Sequence, residues 1–420
     1  MPTRFTHALT ASLSLLATVL LAACGGGGST GTGTGGNVTP TPTVNNTAPL
    51  VVDGGPAGNS ANTLFTTIKL CQHGSTSKCQ TIDHVQVDTG SIGLRVLSGA
   101  LTLSGLAAET DSTGANVLEC AQFADGYVWG PIAVVDVTVG GLTAPSVPIQ
   151  IVGEAAYAGW EPAACSTGLK PENTVADFGA NAILGVGPFL QDCGSNCASA
   201  TTLPSTSALY YTCTAAQACT QIAVATTAQV LNPVALFPQD NNGIAIKLQA
   251  VAAPGAATAT GTLFFGIATE TNNALPSGVT LFAVDGTGAF ADTVYNGQHY
   301  TNTSFIDSGS NAYYFPDSTI ATCASYSGFY CPGATVSLSA SIVGQGRNAN
   351  TQQVAFAIDD AATLFTTHMS YTALPTLAGP AGSLATFDWG LPFFYGRTTF
   401  EAFENATVSN VSSTGPWVGW

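Results

Sequence analysis

The run Asp-Thr/Ser-Gly-Ser occurs twice, as Asp88-Thr89-Gly90-Ser91 and as Asp307-Ser308-Gly309-Ser310. Each copy follows a strand-like approach, His84-Val85-Gln86-Val87 in the first case and Ser304-Phe305-Ile306 in the second. One copy alone is a β-turn, because Asp, Thr, Ser and Gly are all turn formers. A pair, in a chain with only 24 acidic residues, constrains far more. It predicts two related halves, each bringing one carboxyl to a common groove.

Other segments echo the duplication. The Asp88 run is followed by Leu94-Arg95-Val96-Leu97 and later by Ala182-Ile183-Leu184-Gly185-Val186-Gly187. The Asp307 run is followed by Ala312-Tyr313-Tyr314-Phe315-Pro316 and later by Leu391-Pro392-Phe393-Phe394-Tyr395-Gly396. Each half thus offers an Asp loop and, after a similar gap, two large apolar residues before a Gly. A repeat this long is a duplicated lobe and not a solenoid unit. Val- and Thr-rich runs at 133–139, 147–152, 243–248 and 261–266, bounded by Gly, Pro and Asn, predict strands. Helix is expected only in short pieces, as near 359–364, and the end carrying Trp417 and Trp420 predicts a final core strand. The expected fold is all-β and bilobal, duplicated β-barrel lobes with a cleft between them. The lobes are placed at 50–270 and 271–420.

Composition agrees. Charged residues make up 8% of the chain, with 47 Gly and 22 Pro, which suits turn-rich sheet and not long amphipathic helices. A net charge of −16 with eight Lys and Arg argues against nucleic acid and against anionic headgroups as partners.

The first residues form an address. Arg4 precedes an apolar run over 8–21, and Leu21-Ala22-Ala23-Cys24 has the form of a lipobox. This predicts a lipoprotein signal peptide over 1–23, a lipidated Cys24 and a flexible Gly/Thr/Pro tether over 24–49. Gly25 in place of Asp carries no inner-membrane retention signal. The expected location is the bacterial cell envelope, lipid-anchored, on the outer membrane and facing the periplasm or the exterior. Of eleven Cys, removing Cys24 leaves ten, an even number that allows five disulfides in an exported chain. Spacing predicts Cys71/Cys79 and Cys323/Cys331 as local pairs and Cys120/Cys165 as a longer one. Pairing among Cys193, Cys197, Cys213 and Cys219 stays open. A metal at Cys193 and Cys197 is disfavoured, because no His lies between residues 85 and 298.

At these residues the chain resembles the pepsin-like aspartic peptidases. Val87-Asp88-Thr89-Gly90-Ser91 and Ile306-Asp307-Ser308-Gly309-Ser310 match the two active-site loops. Ile183-Leu184-Gly185 and Phe394-Tyr395-Gly396 match the apolar-apolar-Gly element beneath each loop, and Phe123-Ala124-Asp125-Gly126 matches the flap over the cleft. The chain is also similar to a bacterial lipoprotein family known only as domain of unknown function 3443. That likeness runs through Glu119-Cys120-Ala121-Gln122-Phe123 and Phe387-Asp388-Trp389-Gly390-Leu391-Pro392.

The resemblance implies Asp88 and Asp307 as a catalytic dyad cleaving a peptide or protein substrate in the inter-lobe cleft. Thr89, Gly90, Ser91, Ser308, Gly309 and Ser310 would support the dyad, and Phe123, Asp125, Gly126 and Tyr127 would form the flap. No cofactor and no metal are expected, a monomer is favoured with the oligomeric state left open, and the membrane is met only through Cys24. The residue types suit the task. Gly lets backbone approach closely. Thr89 and Ser308 can bond across to the opposite loop, and Ser91 and Ser310 can bond their own Asp. Two close carboxyls share one proton, which lets one activate water and the other donate to a carbonyl. Two residues depart from the family's pattern: Arg95 stands where Trp is usual, and Phe123 where Tyr is usual. An Arg95 buried against Asp88 would favour its ionised form and suit a cleft that binds a peptide, glycan or protein without turnover. His84 is separated from Asp88 by about 13 Å of strand, which excludes a direct pair.

Overall fold

The computed structural model describes residues 46–201, 203, 209–347, 349–382 and 385–420. The expected signal peptide, Cys24 and most of the tether lie outside the described residues. The last residues of the expected tether span fall in sheet. Thr47, Ala48 and Pro49 already belong to strand Thr47–Val52, antiparallel to Ala259–Phe265. Its alternation turns Ala48, Leu50 and Val52 inward, as period-two patterning requires.

The molecule is all-β with two lobes on a common floor. Six antiparallel strands make that floor, hydrogen-bonded in the order Thr47–Val52, Ala259–Phe265, Gly243–Leu248, Thr398–Ala402, Trp417–Gly419 and Leu281–Ala283. Residues from both halves of the chain interleave there. The lobes therefore meet along a sheet and not at one crossing near residue 270. Trp420 closes the floor by stacking on Phe282, with ring centroids 4.5 Å apart.

Above the floor, the first lobe is built from Leu64–Gln72, Cys79–Asp88, Ile92–Leu97, Gly126–Val139, Leu142–Val152 and Ala182–Val186. Val, Leu and Ile dominate its buried positions. The second lobe holds two four-stranded sheets. One contains Asp292–Tyr295, Val336–Val343 and Thr351–Ile358, and the other Ser304–Ile306, Tyr313–Tyr314 and Phe387–Trp389. Its core is aromatic. Phe315 stacks on Phe387 at 5.1 Å, Tyr295 and Phe356 pack edge-on against this pair, and Trp389 packs edge-on against Phe356. The expected helix is Ala361–Thr367, started by the Asp360 carboxylate accepting from the Thr363 amide at 2.7 Å.

Five disulfides form: Cys71–Cys79, Cys120–Cys165, Cys193–Cys197, Cys213–Cys219 and Cys323–Cys331. They include the three expected from spacing and resolve the remaining four Cys into local pairs. No helix among the described residues is long and apolar enough to cross a membrane.

Candidate active site

Strand register delivers both Asp residues to one place. Cys79–Asp88 runs parallel to Ala182–Val186, with Gly185 opposite Asp88. A Cβ at Gly185 would lie 2.7 Å from the backbone of Ile92, so only Gly lets the loop close. In the second lobe Ser304–Ile306 runs parallel to Phe387–Trp389, and the Asp307 amide donates to the Trp389 carbonyl at 3.1 Å. Gly390 takes the place of Gly185: a Cβ there would lie 2.1 Å from the Ala312 carbonyl oxygen.

The second-lobe counterpart of Ile183-Leu184-Gly185 is therefore Asp388-Trp389-Gly390 and not Phe394-Tyr395-Gly396. The latter run serves elsewhere. Leu391–Phe394 is a short 3-10 turn, and the Tyr395 hydroxyl donates to Asn62 Oδ1 at 2.8 Å. Asn62 is wholly buried and also donates to the carbonyls of Asn311 and Leu374, tying the lobes together. The mismatch has a plain cause: the true element carries an acid, Asp388, where its first-lobe counterpart carries Ile183.

The two loops interlock. The Ser308 amide donates to Thr89 Oγ1 at 3.0 Å, and the Thr89 amide donates to Ser308 Oγ at 3.1 Å. Ser308 Oγ also donates to the Val87 carbonyl, and the Gln86 amide side chain reaches the Gly309 carbonyl at 2.9 Å. Asp88 Oδ1 accepts from the Gly90 amide at 2.8 Å, and Asp88 Oδ2 from the Ser91 hydroxyl at 2.6 Å. Asp307 repeats this with the Gly309 amide at 2.7 Å and the Ser310 hydroxyl at 2.8 Å. The carboxyls of Asp88 and Asp307 face each other across the two loops. A Cβ at Gly90 would lie 2.6 Å from Asp307 Cγ, and one at Gly309 would lie 2.3 Å from Asp88 Oδ1. The two glycines create the room in which the carboxyls meet.

Electrostatics follow from this burial. Asp88 is 4% exposed and Asp307 9%. Burial, then the neighbouring Asp88 carboxyl, push the Asp307 carboxyl up to about 7, against the opposing bonds from Ser310 and Gly309. Two further carboxyls lie close by. Asp388 Oδ2 is 2.7 Å from Ser310 Oγ, and burial, then the charge of Asp307, hold it well above the ordinary carboxyl range. Glu401, on the floor strand, is raised in the same way by burial and then by Asp307 and Asp88. Asp388 was missed by pattern matching. Its signal was there: a single acid inside the aromatic run Phe387-Asp388-Trp389.

A cavity of about 40 Å³ opens over the dyad, lined by Asp88, Gly90, Asp307, Ser310 and, from the flap, Phe123 and Asp125. The flap hairpin pairs Leu118–Gln122 with Gly126–Val139 and turns at Phe123, whose amide donates to the Gly126 carbonyl. It is not a free two-stranded ribbon. Leu209–Cys213 pairs along one edge and Lys170–Pro171 along the other, and Cys120–Cys165 bolts it down. Gly126 is required at that second edge, since a Cβ would lie 2.7 Å from the Lys170 carbonyl. Phe123 packs toward the cluster of Phe65, Leu97, Val128, Val152 and Phe178. Tyr127 points away from the dyad. Its hydroxyl donates to Glu161 at 3.1 Å, and its ring packs with Trp129, Tyr211 and the Cys120–Cys165 bridge.

Arg95 does not enter the dyad. Its guanidinium donates to Glu119 at 2.6 Å, to Asp192 at 3.1 Å and to the Ile92 carbonyl at 2.7 Å. Burial opposes its charge, but Glu119 and then Asp192 outweigh that and keep it cationic. The guanidinium carbon also lies 5.9 Å from the centre of the Phe123 ring, so Arg95 supports the flap from behind. Among the described residues no cluster of His, Cys, Asp and Glu is arranged to hold a metal ion.

The sequence profile of a family described as "Protein of unknown function (DUF3443)" matches residues 42–420. The chain belongs to the DUF3443 family. No curated protein matches it in sequence. Among solved structures, it is similar to an aspartic proteinase from Irpex lacteus at 16% identity and a TM-score of 0.46, covering 89% of this chain and 96% of that one.

Proposed function

We propose that this DUF3443 protein is an aspartic endopeptidase, lipid-anchored at Cys24 in a bacterial cell envelope and facing the periplasm or the exterior. One observation carries the enzymatic part: the carboxyls of Asp88 and Asp307 meet at the base of a cleft, both within 3.0 Å of the position a Cβ would take at Gly309, and each is held by a backbone amide and a serine. A pair so close binds one proton between them. The opening above it exceeds the ~10–15 Å³ that a water needs. The ionised carboxyl takes a proton from that water as it attacks the peptide carbonyl. The protonated carboxyl gives its proton to the carbonyl oxygen, leaving a tetrahedral diol with no covalent enzyme intermediate. Activity belongs to acid pH and falls as the shared proton is lost near pH 7, where the Asp307 carboxyl titrates. The anchoring part is supported by Leu21-Ala22-Ala23-Cys24.

The test is cleavage of casein and a peptide library from acid to neutral pH. Asp88→Asn and Asp307→Asn should each lower kcat/KM by roughly 10³-fold or more, with the fold retained. Wild type that cleaves nothing, or variants that cleave as well, would overturn the proposal. The fixed flap and the hydroxyl-free Phe123 favour a second reading, a cleft that holds a peptide or glycan without turnover. Equal peptide binding by wild type and Asp307→Asn, with no cleavage by either, would select it.

A further inference from the structure

We propose that Asp388 is a third carboxyl of this site, a positioning residue that decides whether the Ser310 hydroxyl gives its proton to Asp307. The proposal rests on the dyad reading above and adds a regulator to it. Ser310 Oγ stands 2.8 Å from Asp307 Oδ2 and 2.7 Å from Asp388 Oδ2. A hydroxyl has one proton to donate. It donates to one carboxyl and must accept from the other, so one of the two has to be protonated for both contacts to be attractive.

Asp388 is the better candidate for that proton. None of its surface is exposed, and its Oδ1 finds no hydrogen-bond partner. An ionised carboxylate would leave that oxygen charged and unpaired in an aromatic core, whereas the neutral acid asks far less of its surroundings. Neutral Asp388 donates from Oδ2 to Ser310 Oγ, and Ser310 then donates to Asp307 Oδ2. Such chained donors strengthen one another. The first lobe has no such device: Ser91 donates to Asp88 with Ile183 in the equivalent place.

The charged and titratable surroundings are few. Asp307 and Asp88 face Asp388 through the loops, and Glu401 lies below the dyad on the floor. On the neighbouring strand, Tyr314 is paired with Asp388 but sends its hydroxyl to Asn311. Tyr313, next to it, lies within reach of the Arg397 charge. The strand Ser304–Ile306 brings Phe305 opposite. When Asp388 ionises, its proton goes to solvent and Ser310 turns toward the new carboxylate. Asp307 then loses a donor and gains a like charge, and the active arrangement is lost. The active form accordingly holds two protons on three carboxyls, one in the dyad and one on Asp388.

The experiment compares wild type, Asp388→Asn and Asp388→Ile in peptide cleavage across pH, with a parallel NMR titration of the Asp307 side-chain carbon. Asn stays neutral and can still donate to Ser310. Ile reproduces the first-lobe arrangement. Asp388→Ile should lower kcat roughly five- to tenfold, the worth of about one hydrogen bond, with KM nearly unmoved. Asp388→Asn should restore most of that loss. Its activity should fall with the loss of one proton on the alkaline side, where wild type falls more steeply through the loss of two. Asn as damaging as Ile, or equal steepness in Asn and wild type, overturns the proposal. If wild type cleaves no peptide, the peptidase reading fails and the titration still decides the role of Asp388. Coupled steps at Asp307 in wild type that become one step in Asp388→Asn support it, and superimposable titrations sink it.

Discussion

In the first lobe the Asp loop rests on Ile183-Leu184-Gly185, over a core of Val, Leu and Ile; in the second it rests on Asp388-Trp389-Gly390, over Phe, Tyr and Trp. The loops share the bonds that hold the carboxyls: amide to Oδ1, serine to Oδ2, and reciprocal amide-to-hydroxyl bonds between Thr89 and Ser308. The difference shows which features must be duplicated. Backbone geometry at the meeting point depends on Gly and on short polar side chains, and these repeat. The layer beneath has only to fill space, which aliphatic or aromatic residues do equally well. That layer is free to diverge, and in the second lobe it has acquired a titrating group.

The sharpest way to break this comparison is to fill the gap from either side. Gly90→Ala and Gly309→Ala each place a methyl group against the opposite carboxyl. Each should cost about 100-fold in kcat/KM, because a displacement of about 1 Å at reacting groups has that effect. Thermal melts should show both variants folded. If the two losses differ by far more than a few-fold, the loops are not functional equivalents.

A smaller effect should reveal where the equivalence ends. Ser308 Oγ both accepts from Thr89 and donates to Val87, whereas Thr89 Oγ1 accepts from Ser308. Ser308→Ala should therefore destabilise by about 2 kcal/mol and Thr89→Val by about 1 kcal/mol in urea unfolding, at roughly one hydrogen bond each. Equal costs would mean that the Val87 contact contributes nothing.

The smallest effect separates the lobes by pH. Asp307, Asp388 and Glu401 in and under the second lobe are all raised by burial. A carboxyl whose folded pKa is raised contributes its full stability below its unfolded value, and that contribution is lost as pH rises through the folded value. Between the ordinary carboxyl range and about 7, where Asp307 titrates, Tm should drop by a few degrees. Asp388→Asn should flatten part of that fall. A Tm that is level or rising over this window would show that these acids are not held neutral.

Much of this site was legible in the sequence because it is local. Each Asp loop carries its own Gly and Ser within four positions, and three disulfides could be read from spacing. What escaped depends on distant strands. The edges of the flap come from Leu209–Cys213 and Lys170–Pro171, which no local pattern ties to Leu118–Gln122. Tyr127 turned away because its partner Glu161 lies in a later excursion of the chain. Arg95 looked threatening to Asp88 because Glu119 and Asp192, which claim it, are far along the sequence. Phe394-Tyr395-Gly396 satisfied an apolar pattern that the real element, with its buried acid, violates. A buried acid in an aromatic strand is costly to keep, and such violations mark function more often than packing does.

The hairpin over the cleft has one further consequence. With a strand sewn to each margin and a covalent stitch to Cys165, this canopy is tied to more of the lobe than a free two-stranded ribbon would be, which opposes its lifting over a bulky loop. On the peptidase reading, a polypeptide would have to slide in lengthwise, already extended. Selection would then fall on unravelled or damaged chains and spare intact neighbours, a safeguard held in the roof of the groove with no need of an inhibitor.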